Sequence, residues 1–206
     1  YRQHMFLLLE VIRLPMSQSC EIADCDAFFS HSWHDDARLK WTALSDWCEG
    51  FRRSHGRAPR LWFDKVCIDQ THITEDLQCL PIFLASCNSL LILSGATYTT
   101  RLWCCVELFV YVSMLVQAES RRAPIIITLG ATEEERMAVR DTWNTFDVKA
   151  CNCFLQADTD RIMKVVDSCP GGADFFSDHV RQLVADIFAS QPARASTHSL
   201  TGVLPG

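Results

Sequence analysis

The sequence predicts an α/β domain: a five-stranded, mostly parallel sheet with helices on both faces. Two observations carry that reading. Short apolar runs rich in Phe, Leu and Ile recur at intervals of about thirty residues, the length of one βαβ unit. Each gap between them holds apolar residues at helical spacing. At 206 residues the chain is long enough for one well-buried core with small additions.

Ala27-Phe-Phe-Ser30 is a buried-strand pattern that passes abruptly into the polar loop His31-Ser-Trp-His-Asp-Asp36. Leu39, Ala43, Leu44, Trp47, Cys48 and Phe51 then recur as on one helix face, and Ser54-His-Gly56 ends the run. Leu61-Trp-Phe63 predicts a second strand, and Asp64 to His72 a loop of mixed charge and apolar character. A helix over about Leu77 to Ser86 follows, with Pro81 in its first turn, where proline is tolerated. Leu90-Leu-Ile-Leu93 is the third strand, and Thr99 or Thr100 a candidate N-cap for the next helix.

Pro124 to Leu129 reads as a fourth strand, and Thr132 with Glu135 has capping-box spacing before a fourth helix. Cys151 to Leu155 is a short fifth strand by pattern. Two helices, Asp160 to Asp167 and about Asp174 to Ala189, flank Gly171-Gly172. From Ser190 the composition turns to Pro, Ala, Ser, Thr and Gly, which predicts a disordered tail over 190–206. Residues 1–24 read as a flanking segment. Met5 to Leu14 is apolar but too short to span a bilayer, and Glu10 and Arg13 interrupt it. The chain opens on Tyr1, which suggests a piece of something larger.

Apolar content of 49%, charged content of 21% and a formal charge of −6 are globular values, with no long basic run. That balance argues against nucleic acid or an anionic membrane as the main partner. Eleven cysteines are many, but they are scattered through apolar segments and form no CxxC pair. A reducing, cytoplasmic setting with thiols packed as small hydrophobes is expected, and no metal. The competing zinc reading would use Cys151 and Cys153 with His31 or His34.

The chemistry centres on Arg101-Leu-Trp-Cys-Cys-Val-Glu-Leu-Phe-Val-Tyr-Val-Ser-Met114. Cysteine and tyrosine aside, Glu107 is the only ionisable residue from Leu102 to Ala118. A carboxylate in an apolar helix is turned to solvent, paired with a distant cation, or held at a site. Helical spacing sets Trp103 at i−4 and Tyr111 at i+4, so two aromatics would flank the acid on one face. In a parallel α/β sheet, ligands sit beyond the carboxyl ends of the strands. The loops after Phe29, Phe63 and Leu93 would all emerge there.

Three segments in order, Asp26-Ala-Phe-Phe-Ser-His-Ser-Trp33, Leu61-Trp-Phe-Asp-Lys-Val-Cys-Ile-Asp-Gln70 and Arg101-Leu-Trp-Cys-Cys-Val-Glu107, resemble a Toll/interleukin receptor (TIR) domain of the protist and algal type. The second and third also resemble the fungal heterokaryon-incompatibility (HET) domain. The resemblance covers about residues 25–189 and implies a flavodoxin-like TIR fold. It further implies a cytoplasmic signalling role in immunity or cell death, and cleavage of NAD at the nicotinamide–ribose bond with NAD as substrate and no cofactor. Glu107 is then the catalytic carboxylate. Ser30, His31, Ser32, Trp33, Asp64, Lys65 and Trp103 would contact substrate. Val66, Cys67, Ile68, Asp69 and Gln70 would form a lid or interface loop for self-association or contact with other TIR-like domains. The arginine that many family members carry after the first strand has no counterpart here; Ser32-Trp33 stands in its place and Arg38 is nearest. The alternative is a non-catalytic module working by homotypic contacts. A third reading, a Cys104 or Cys105 nucleophile with His31 as base, lacks a motif that places the base.

Overall fold

In the computed structural model, residues 24–63, 79–115 and 123–190 are described. Four strands, β1 (Ala27–His31), β2 (Leu61–Trp62), β3 (Leu90–Ser94) and β4 (Ile125–Thr128), form one parallel sheet in the order β2-β1-β3-β4. Six α-helices accompany it among the described residues: α1 (Ala37–His55), α2 (Leu80–Ala85), α3 (Leu102–Leu115), α4 (Glu133–Asn144), α5 (Gln156–Ser168) and α6 (Gly172–Ser190). The strand order reverses direction at β1, between β2 and β3, and is compatible with a flavodoxin-like sheet.

β1 and β3 are buried along their whole length, as expected for parallel strands covered on both faces. Side chains alternate between two cores. Phe28, Leu90, Ile92 and Ile126 join the larger one, with Leu84 of α2, Leu108 of α3, Ile162 of α5 and Val180 of α6. Ala27, Phe29, Leu91, Leu93 and Ile127 join the smaller one, against Leu44 and the half-buried Leu39, Ala43 and Trp47 of α1. Phe28 and Trp62, opposite each other in the β1–β2 register, stack with ring centroids 4.3 Å apart.

The helix ends follow local chemistry. The Asp36 side chain accepts from the backbone N–H groups of Arg38 and Leu39 to start α1, and Gly56 closes it at φ 71°, a left-handed conformation suited to glycine. Thr132 and Glu135 form the capping box that opens α4. Neither Thr99 nor Thr100 caps α3: both lie in a 3-10 turn (Tyr98–Thr100), and the Arg101 carbonyl accepts the first helical bond, from Cys105.

The fifth strand does not form. Cys151 and Cys153 are buried while Asn152 between them is exposed, so the alternation is present, but the backbone pairs elsewhere. Asn152 donates to Thr100 O and its carbonyl accepts from Leu102 N, a single parallel bridge opposite Arg101. The segment therefore braces the entrance to α3 instead of extending the sheet, whose described strands number four.

Candidate active site

Period-2 alternation sends Ser30 and His31, the last two residues of β1, to opposite faces. Ser30 points to the α3 side. Its Oγ lies 2.5 Å from Glu107 Oε2 and 2.7 Å from the Tyr98 hydroxyl, which lies 3.2 Å from the Cys104 carbonyl oxygen. An ionised carboxylate and a carbonyl only accept, so two hydroxyl hydrogens serve these three contacts. The two short distances select Tyr98 donating to Ser30 and Ser30 donating to Glu107. Tyr98 is fully buried, and burial, reinforced by Cys104 and Glu107, pushes its phenol well above the ordinary tyrosine range. It stays protonated and remains a fixed donor. Glu107 itself is half-buried.

Asp35 ties the β1 loop to the β3 loop. Its carboxylate accepts from Gly95 N at 3.1 Å, Thr97 N at 2.9 Å and Thr97 Oγ1 at 2.8 Å. Ser32 Oγ meets Thr97 Oγ1 at 2.7 Å, and the buried Lys40 ammonium donates to the Ser32 carbonyl at 2.8 Å. Burial lowers the Lys40 pKa, against the opposing pull of Asp35 and Asp36. Gly95 is required by closeness: a Cβ there would sit 2.3 to 2.6 Å from the Asp35 carboxyl atoms.

His31 lies on the other face. Its ring stacks on Phe29 at 4.8 Å and on Phe63 at 5.4 Å, with the edge of Trp33 at 4.5 Å. Burial, assisted by Lys40, lowers its pKa to about 3, so the imidazole is neutral. Among the described residues Nε2 finds no hydrogen-bond partner. The carbonyl of His31, by contrast, accepts from Cys104 Sγ at 3.5 Å.

Of the residues expected to contact substrate, the structure brings Ser30 to Glu107. It carries the rings of His31 and Trp33 to the α1 side, Trp33 being 40% exposed, and uses Ser32 within the loop clasp. Trp103 is half-buried against the larger core. Tyr111 is fully buried and donates to the Asn88 carbonyl at 3.2 Å. Asp64, Lys65, Val66, Cys67, Ile68, Asp69 and Gln70 lie outside the described residues. Among the described residues, a cavity of about 320 Å³ lies beside Arg140 and Phe188 and one of about 250 Å³ beside Trp47 and Phe51.

Three participants escaped the sequence reading. Lys40 shares the spacing of Ala43, Leu44 and Trp47, so a lysine in an apolar stripe was the available signal. Gly95 hinted at a close backbone approach, which points to Asp35. Tyr98 carried no signal that distinguishes it from a core aromatic.

Among the described residues no group of three or more His, Cys, Asp or Glu side chains is arranged to hold a metal ion, and the nine described cysteines are thiols. No described helix is long and apolar enough to cross a membrane. No family model matches this chain, and no curated protein matches it.

Proposed function

We propose that this chain is a cytoplasmic TIR-like signalling domain, of flavodoxin-like TIR fold, that hydrolyses NAD at the nicotinamide–ribose bond when self-associated. The observation that supports this most is the 2.5 Å contact between Ser30 and Glu107, which fixes one oriented carboxylate beside the carboxyl end of β1. In doubly wound sheets ligands enter at that edge, at the point where the strand order reverses.

One carboxylate suits the chemistry. Nicotinamide departs from a cationic pyridinium as a neutral base, taking the bonding electron pair, so its departure needs no general acid. The ribose is left with oxocarbenium character, which a fixed anion stabilises. Water then adds to the anomeric carbon and releases a proton, giving ADP-ribose and nicotinamide. In this account Glu107 touches the reacting ribose, and Ser30 and Tyr98 hold it in position.

A second reading, a non-catalytic module for homotypic contacts with TIR-like domains, is favoured by one observation. Phe154 and Leu155, beside the bridge that braces α3, are 84% and 57% exposed. Incubating concentrated protein with NAD and assaying nicotinamide separates the two. Release that rises with protein concentration supports the enzyme, and silence at every concentration supports the module.

A further inference from the structure

We propose that Asp35 is a positioning residue for Glu107, acting across the β1–β3 junction through Tyr98; this rests on the reading of Glu107 as the reacting carboxylate. Asp35 is buried at 8% exposure, at the end of the first loop, and among the described residues its carboxyl group is hydrogen-bonded to Gly95 and Thr97, not to Ser30 or Glu107. What it holds is the turn after β3. Oδ2 accepts from Gly95 N, and Oδ1 accepts from both the backbone and the hydroxyl of Thr97. The residue after Thr97 is Tyr98, whose hydroxyl meets Ser30, which in turn meets Glu107.

The donors run in one consistent direction. His34 N donates to Ser32 Oγ, leaving the Ser32 hydrogen for Thr97 Oγ1 and the Thr97 hydrogen for Asp35. The Thr97 hydrogen ends on the Asp35 carboxyl group, whose two oxygens accept all three turn donors. Lys40, anchored on the Ser32 carbonyl, keeps a cation beside it. Tyr98 itself is also held on its C-terminal side, where its carbonyl accepts from Arg101 N at 3.1 Å, and its N–H donates to Gly95 O at 3.2 Å. Releasing Asp35 removes three bonds from the N-terminal side of Tyr98, so the turn can pivot about its Arg101 end and carry the tyrosine with it. A shift of the Tyr98 hydroxyl by about 1 Å takes its 2.7 Å contact with Ser30 out of hydrogen-bond range and leaves Ser30 less firmly set against Glu107.

The test is a double-mutant cycle in the full chain, with Asp35→Asn and Tyr98→Phe read on nicotinamide release. Asparagine keeps the shape but sets an N–H donor against either Gly95 N or Thr97. Alone it should lower kcat about tenfold with KM within roughly twofold of wild type, because the contact it supports concerns the reacting carboxylate and not substrate affinity. Added to Tyr98→Phe it should cost less than about twofold, because the route it acts through is already cut. Thr97→Val, which removes only the hydroxyl links, is the milder companion should Asp35→Asn unfold, and should follow the same pattern with a smaller loss. Losses that multiply in the double variant, or a change confined to KM, overturn the proposal.

If the wild-type protein releases no nicotinamide, the reading of Glu107 fails and the clasp is read by amide hydrogen exchange instead. Exchange over 103–108 that is about tenfold faster in Asp35→Asn, with α4 unchanged, supports the coupling to Glu107. Acceleration confined to 95–97 overturns it.

Discussion

Ser30 on β1 and Glu107 on α3 are 77 residues apart in sequence and 2.5 Å apart at Oγ and Oε2. The bond joins the carboxyl end of β1 to the helix that carries the acid and gives the Glu107 carboxylate a hydrogen-bond donor in an otherwise apolar stretch. Ser30→Ala removes the hydroxyl that donates to Glu107 while Tyr98 still reaches the Cys104 carbonyl. The variant should lose about 1 kcal/mol of stability, the usual worth of one such bond. Under the proposed reaction it should also lose NAD cleavage by about tenfold or more. Steady-state kinetics and denaturant melts on one preparation check both. Unchanged cleavage would show that Ser30 does not hold the reacting group.

His31 makes acid sensitivity a local property. Its folded pKa is about 3, below the ordinary 6.5, so the unfolded chain binds a proton that the native chain refuses. Stability is then unaffected above pH 6.5 and falls as pH drops from 6.5 toward 3. By pH 5 the loss from this residue should be about 2 kcal/mol. His31→Phe keeps a ring in the Phe29–Phe63 stack and removes the titration. Its melts at pH 7.5 and pH 5 should differ by that much less than those of wild type. Equal pH dependence in the two proteins would mean that His31 is not held neutral.

Gly95→Ala tests the closeness of the two loops. The new Cβ meets the Asp35 carboxyl group at 2.3 to 2.6 Å, well inside contact distance, and that group is bonded on both oxygens. Overpacking of this kind costs about 1–3 kcal/mol. A melt within error of wild type would show that Asp35 can move away freely.

The thiols should divide by depth. Cys105 is fully buried, and burial together with its contact to Cys151 pushes its pKa well above the ordinary thiol range, so it is neither ionised nor reachable. Cys169 and Cys48 are half-buried. Timed alkylation followed by peptide mass mapping should label Cys169 at least about a hundredfold faster than Cys105 in the native protein. Comparable rates would place Cys105 in an opening segment.

Much of the scaffold was legible from the sequence because it depends on nearest neighbours. The runs at Phe28 and Leu91 read as strands, the spacing of Leu39 to Phe51 as a helix, and Thr132 with Glu135 as a cap. The fifth strand was misread because alternation at Cys151 to Cys153 reports which side chains are buried, not which backbone they pair with. The Thr99 and Thr100 caps failed for a related reason: an intervening 3-10 turn used both residues. At the site, Glu107 stood out as a charge in an apolar helix. The two-residue period of a strand sets the His31 ring on the face opposite Ser30, a separation that their adjacency in sequence does not display. Tyr98 was not legible, since its role depends on a contact across 68 residues of sequence.

The central claim is that Glu107 is a reacting carboxylate, and Glu107→Gln tests it most directly. Glutamine keeps the size and can still accept from Ser30, but it carries no charge to stabilise the ribose cation. With wild-type protein at high concentration releasing nicotinamide from NAD, the folded variant should release it at least about a hundredfold more slowly. Release at the wild-type rate by folded Glu107→Gln would contradict the account.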